Sequence, residues 1–433
     1  MRCIARKLAY PIALSALAIA VSLARSWADE AERPAQGAQK QADDLVAGPL
    51  VGQATSTRVS LWMHAAPDAR LEVEYGTAPD QPLGRVAMVP VEDFAADKIS
   101  GRPAKVTLTG LTAGTSYTFR VAIDGKFAAE RAGTFKTAPE AGQPCQFRLG
   151  LTSCMKYGQP QGSWALFLAE RPDLHLTLGD THYADSTSPN RQWEHHLRYR
   201  RVPQFAAVIR GLPTYAMWDD HDYGPNDSDG TAAGKENSLV SWRQVWCNPP
   251  SGTAATPGAF YKFSWGDVDF FVVDGRYHRS PDKAPDDDKK RMLGDAQFAW
   301  LLEGLSNSTA RFKVIASGST LFHSAGDGWR IYTFSRHRLL DAIKARKISG
   351  VLYLSGDIHN SLVWEHPESD RVGYPLVEVI SSGIANSKKL SFATIDFDTA
   401  KDDPTVRVRI IAGDGSGQDD RTWTLSSLSP DKE

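Results

Sequence analysis

Short runs in which apolar residues alternate with polar ones fill the first third of the chain: residues 58–64 (RVSLWMH), 69–76 (ARLEVEYG), 104–111 (AKVTLTGL), 115–124 (TSYTFRVAID) and 133–139 (GTFKTAP). A period of two puts neighbouring side chains on opposite faces of a strand, so each run predicts a strand with one face buried. Turn residues separate the runs, and the set predicts an all-β sandwich over residues 45–139. After Gly142 the pattern changes. Apolar runs at 147–153, 174–180, 213–220, 267–275, 312–319 and 350–357 alternate with helix-spaced stretches at 162–171, 191–210 and 295–305. In the last of these, Phe298, Leu301, Leu302 and Leu305 share one stripe, most simply a core face. Runs at 376–383, 392–398 and 405–411 predict further strands that complete a second sheet. Strands alternating with helices predict a layered α/β domain over residues 145–433.

Composition changes this picture little. A chain of 433 residues, 42% hydrophobic and 23% charged, has room for two such domains and is neither disordered nor fibrous in type. A net charge of −2 gives no bulk attraction to nucleic acid or anionic lipid, so no stable nucleic-acid complex is expected. The amino terminus adds more. Arg2, Arg6 and Lys7 precede an apolar stretch from Leu8 to Leu23, broken by Pro11, and Ser26-Trp27-Ala28 offers small residues where a signal peptidase reads. A signal peptide over residues 1–28 fits better than an uncleaved anchor, because the apolar stretch is short. No twin-arginine pair is present, so the expectation is Sec-type export to the periplasm or medium, with no transmembrane segment left after cleavage. Residues 29–44 are polar and read as a flexible leader. Cys145, Cys154 and Cys247 then remain, an odd number: either they are buried free thiols, or Cys145 pairs with Cys247 while Cys154 binds metal.

Candidate chemistry gathers where the α/β strands end. The first ends in Thr152-Ser153-Cys154, the second in Gly179-Asp180 with Tyr183 three residues on, the third in Trp218-Asp219-Asp220-His221-Asp222, and the last in Ser355-Gly356-Asp357-Ile358-His359. In open α/β sheets, ligands bind outside the carboxyl ends of the strands, where loops converge over a rigid base. Each piece alone has a plain structural explanation as a buried thiol, a capping acid or a satisfied polar pair. Together, at successive strand ends, they predict a metal site. Arg276 and Arg279 suit a phosphate anion and equally a structural salt bridge, and His278 and His323 are further pocket candidates. His195 and His196 are adjacent on a predicted helix, point in different directions, and are not read as a convergent metal pair.

These motifs, with VVDGRYHR, MLGDAQFAWLLEGL and the preceding sandwich, resemble the alkaline phosphatase D (PhoD-like) family of the calcineurin-like metallophosphoesterase superfamily. The Leu111–Tyr117 segment likewise resembles the tyrosine corner of immunoglobulin and fibronectin III-like sandwiches. The family resemblance implies a layered α/β/β/α metallophosphoesterase domain and two adjacent metal sites that share Asp180. Cys154, Asp180, Tyr183 and His359 would hold one ion, and Asp180, Asp220 and Asp357 the other. It implies Fe(3+) with Ca(2+), in a binuclear or larger cluster, with Mn, Mg or Zn as substitutes. A thiolate and a phenolate suit a trivalent ion, and carboxylates suit a hard divalent one. Cys154, Asp180, Tyr183, Asp220 and Asp357 supply five formal negative charges, which such a pair offsets.

The implied reaction is hydrolysis of a small phosphate ester. Phosphomonoesters come first, and phosphodiesters, including phospholipid head groups and nucleotide diesters, second. A hydroxide held by the metal pair would attack phosphorus in line. His221 is expected to contact phosphate or protonate the leaving oxygen, with Asp222 orienting its ring, while Arg276, Arg279 and His323 would lie on the substrate side. A reading of a different class is a noncatalytic surface-binding protein with a structural metal.

Overall fold

In a computed structural model, which describes residues 46–323 and 327–430, the alternating runs pair as strands. The signal and leader expected over residues 1–44 lie outside the described residues. β1 (Ala47–Ala54), β2 (Arg58–Ala65), β3 (Leu71–Ala78), β4 (Gln81–Ala87), β5 (Val89–Pro90), β6 (Arg102–Thr109), β7 (Ser116–Ile123) and β8 (Lys126–Lys136) form two antiparallel sheets, ordered β1-β2-β6-β5 and β4-β3-β7-β8. Val59, Leu61, Val73, Phe119 and Val121 are buried between them. The Tyr117 hydroxyl accepts the Thr112 N–H at 2.9 Å, which closes the tyrosine corner. β1 and β4 escape the period of two because β1 is buried almost throughout and β4 is almost wholly exposed.

The α/β region contributes β9 (Gln146–Thr152), β10 (Leu174–Leu178), β11 (Thr214–Met217), β12 (Tyr261–Trp265), β13 (Val268–Val272), β14 (Phe312–Ala316), β15 (Val351–Ser355), β16 (Leu362–Glu365), β17 (Val377–Ile380), β18 (Ser391–Asp398), β19 (Thr405–Ala412) and β20 (Gly417–Thr424). They make two six-stranded sheets, β11-β10-β9-β18-β19-β20 and β12-β13-β14-β15-β17-β16. β9 to β11 run parallel, as do β13, β14, β15 and β17. The tail divides between the sheets, which corrects the expectation that it completes only a second one. β17 enters the second sheet, whereas β18 pairs antiparallel with β9 in the first. Phe397 of β18 gives the reason: it stacks on Phe147 at 5.0 Å and meets Phe270 and Phe312 of the facing sheet at 6.2 and 5.7 Å.

The single helix expected over 191–210 is two, Pro189–Arg200 and Pro203–Gly211. Pro203 supplies no N–H and drives Val202 to an extended conformation, which breaks the helix there. The second of these helices packs on β1 and β8, and the Tyr215 hydroxyl both donates to and accepts from the backbone of Ala54, joining sandwich to α/β domain. Cys145, Cys154 and Cys247 are all free. The Cys145–Cys247 disulfide therefore does not form: Cys145 packs on the Gly266 turn, whereas Cys247 packs on Gly52 of β1.

Candidate metal centre

Three of the four ligand motifs begin where a strand stops and the chain turns left-handed; the fourth, after β11, enters a short helix at Asp220. Cys154, Asp180, Asp357 and His359 have φ of 57°, 52°, 72° and 54°. Such φ values are uncommon outside glycine, and a cluster of them at one end of two sheets marks backbone bent to aim side chains inward. Gly179, itself at φ +83°, permits a close approach: a Cβ there would lie 2.5 Å from the Asp219 Cβ.

Asp180 is the hub. Its Oδ2 accepts from the Cys154 thiol at 3.3 Å and from the Tyr183 hydroxyl at 3.5 Å, and that hydroxyl lies 3.5 Å from His359 Nε2. Two groups of ligand atoms result, Cys154 with Asp180 and His359, and Asp180 with Asp220 and His221, each drawn together within 4.8 Å. Asp357 belongs to neither group, although its charge acts on Asp180. Asp220 is held from outside by the Asp227 N–H on Oδ2 at 2.9 Å.

These residues fit cations. Asp180 Oδ1 and Asp357 Oδ2 are buried without a protein partner, which is costly for a carboxylate unless a positive charge arrives. Burial, and then the neighbouring Asp220, Asp219, Asp222 and Asp357, push the Asp180 carboxyl well above its ordinary range. Burial, followed by Asp219, Asp327 and Asp220, does the same to Asp357. The Cys154 thiol and the Tyr183 phenol are raised too, chiefly by burial. A bound cation would reverse this preference, because it competes with protons for the same lone pairs.

The charged partners differ from those expected. His221 is oriented by Asp185, whose Oδ1 lies 2.5 Å from His221 Nδ1, and the His221 ring packs on Tyr183 at 4.2 Å. Asp222 does not orient it. Its Oδ1 accepts from the Thr181 N–H and hydroxyl and its Oδ2 from the Asp219 N–H, so it braces the backbone of two ligand loops. Arg276 and Arg279 are buried, and their guanidinium groups are spent on carboxylates. Arg276 binds Asp219 at 2.6 Å and Asp327, and Arg279 binds Asp327 at 2.9 Å and Asp282 at 2.9 Å. They are structural ion pairs, not open phosphate ligands. Arg276 nevertheless reaches within 3.6 Å of Asp220 and so offsets charge at the centre from behind.

His323 packs on Trp364, on the β16 side, and takes no part in either ligand group. His278 is likewise elsewhere, 2.6 Å from the Pro257 carbonyl. His195 and His196 diverge less than helix geometry suggests. His196 Nε2 lies 3.0 Å from the Nε2 of buried His182, and the His195 ring is 6.2 Å from that of His182.

Two contributors escaped the sequence reading. Asn386 Nδ2 donates to the Tyr183 hydroxyl at 2.8 Å and sits 2.9 Å from His359 Nε2, and the Ser382 hydroxyl lies 3.0 Å from Cys154 Sγ and accepts the His359 N–H at 2.8 Å. Both follow β17. The rule applied to four strand ends would have found them at this fifth, where Ser381, Ser382 and Asn386 occur within six residues.

A model of PhoD-like phosphatases matches residues 149–410, more than half of the chain and all of these ligands. The chain belongs to the PhoD-like phosphatase family. Alkaline phosphatase D of Bacillus subtilis (strain 168) is 23% identical over 379 residues, covering 72% of this chain and 64% of that protein, so the chain spans slightly less than two thirds of this PhoD-like relative. The fold recurs in the solved structure of PhoD, with a TM-score of 0.67 and 17% identity over 90% of this chain and 93% of that one. It recurs also in purple acid phosphatase PPD1 from seeds of yellow lupin (Lupinus luteus), with a TM-score of 0.66 and 14% identity over 88% and 74% of the two chains. The PhoD-like architecture is thus an amino-terminal β-sandwich followed by a mixed α/β metallophosphoesterase domain. No helix among the described residues is long and apolar enough to cross a membrane.

Proposed function

We propose that the protein is an exported, metal-dependent phosphoric ester hydrolase. The observation that carries this reading is the convergence of two ligand groups on one shared carboxylate, Asp180. Family membership supports it, as does the name of the Bacillus relative. The amino-terminal pattern of Arg2, Arg6, Lys7 and the apolar stretch after them supports export. Cys154, Asp180, Tyr183 and His359 would hold Fe(3+), and Asp180, Asp220 and Asp357 would hold Ca(2+). When bound, the ions supply Lewis acidity toward phosphoryl oxygens and acidify water enough for it to attack phosphorus.

The chain's own residues orient the rest. Asp185 holds His221 by Nδ1, which leaves Nε2 free to give a proton to the leaving oxygen. Asp222 keeps the Asp180 and Asp220 loops in register through Thr181 and Asp219. Asn386 fixes the Tyr183 oxygen beside His359.

The direct test is release of alcohol or phosphate from a panel of mono- and diesters by protein purified without chelator. Silence on every ester by fully metallated protein would favour the noncatalytic surface-binding reading. His221→Ala should lower kcat by roughly 10²- to 10⁴-fold with metal content retained. Loss of metal in that variant would make His221 a ligand instead, and undiminished turnover would remove it from the chemistry. Tyr183→Phe should bleach the visible phenolate-to-iron absorption of the purified protein. An active, colourless, iron-free wild type would contradict the iron assignment.

A further inference from the structure

Preference between mono- and diesters depends on positive charge that faces the phosphoryl group in addition to the ions. A monoester above neutral pH carries nearly two negative charges, because its second pKa is near 6, and a diester carries one. The buried arginines are unsuited to supply that charge, since Asp219, Asp327 and Asp282 neutralise them.

The loop after β9 holds a different cation. Three successive backbone N–H groups tie this loop to three elements around the centre: Met155 donates to the Asp180 carbonyl at 2.9 Å, Lys156 to the Ala385 carbonyl at 3.3 Å, and Tyr157 to the Tyr199 hydroxyl at 2.7 Å. The backbone of Lys156 is therefore pinned between the hub residue and the segment that carries Asn386. From there the exposed side chain lays its ammonium over the Tyr183 ring, 5.6 Å from the centroid. The contact is with a ring face and not with a carboxylate, so the charge is available to a bound anion.

We propose that Lys156 is a specificity-determining residue, meeting the second negative charge of the phosphoryl group and so selecting phosphomonoesters over phosphodiesters. This rests on the ester-hydrolase reading above. A lysine suits the task because its ammonium is a point charge on a flexible stem, able to follow the phosphoryl oxygens as they rearrange.

The test uses two esters with one leaving group, p-nitrophenyl phosphate and methyl p-nitrophenyl phosphate, on the wild type, Lys156→Gln and Lys156→Arg. The monoester-to-diester ratio of kcat/KM should fall about tenfold in the Gln variant, equivalent to about 1.4 kcal/mol, chiefly through the monoester KM. The Arg variant should recover most of it. Salt should erode the wild-type ratio and leave that of the Gln variant flat. An unchanged ratio, or an equal loss on both esters, overturns the proposal. Calorimetric binding of inorganic phosphate reads Lys156 without turnover: weaker binding by the Gln variant supports the role, and equal binding overturns it. Inactivity of the metallated wild type on both esters would instead defeat the hydrolase reading.

Discussion

Asp180→Asn should empty both metal sites and reduce kcat/KM by roughly 10³-fold or more, because metal-ion stabilisation of the transition state is worth several kcal/mol at about 1.4 kcal/mol per tenfold. The substitution keeps the shape of the side chain and removes its charge. Its two oxygens hold different positions: Oδ2 meets Cys154 and Tyr183, while Oδ1 is buried and unpartnered. Losing the charge therefore weakens both groups at once, whereas Tyr183→Phe disturbs only the first. The same change should relieve the metal-free fold, since burial and four neighbouring aspartates oppose ionisation of Asp180. In chelator, the variant should melt no lower than the wild type. Elemental analysis and thermal melts check both halves, and two ions retained per chain would show that Asp180 does not bridge them.

Stripping metal from the wild type should cost more stability as pH rises. Asp222 and Asp219 are pushed up by burial to about 6 and about 7 from an ordinary value of 3.8, and burial raises Asp180 and Asp357 well above that value too. Below pH 3.8 each group is protonated in both the folded and unfolded chain and imposes no penalty. Above it the unfolded chain ionises first, so the metal-free fold loses stability until pH passes the folded value. The window runs from 3.8 to about 6 for Asp222 and to about 7 for Asp219. Metal would replace the protons of its ligands and, by its charge, favour ionisation of neighbouring Asp219 and Asp222, which removes the penalty. Buried His182 and His196, held neutral mainly by burial, destabilise the fold in the opposite sense as pH falls, but they do so with and without metal and cancel in the difference. The gap in Tm between holo and chelated protein should widen by roughly 5–10 °C between about pH 4.5 and about pH 7.5, at about 2–4 °C per kcal/mol. A gap that narrows would mean that the aspartates are ionised and paired before metal enters.

The succession of most strands along the chain, and the ends of those that carry ligands, were legible in the sequence, because period-two and fully apolar runs report burial directly. The ligand motifs were legible for a related reason: Cys154, Asp180, Asp220 and His359 each follow an apolar run by a few residues, and the strand-end rule needs no knowledge of which strands pair. Strands whose burial is uniform, such as β1 and β4, carry no period and were lost.

Partner choice belonged to the tertiary structure. Nothing in the local pattern distinguishes Asp222, one residue from His221, from Asp185, which is 36 positions away in the chain and makes the actual contact. The pairing is decided by how the loops after β10 and β11 fold over parallel neighbours. The same holds for the arginines, whose residue type suits phosphate but whose burial beside Asp219 and Asp327 commits them to ion pairs. Sequence fixes which chemical groups stand at the strand ends, since that depends on short-range order. Which of them touch depends on strand order and loop closure, and a charged side chain takes the partner that packing brings within hydrogen-bond distance.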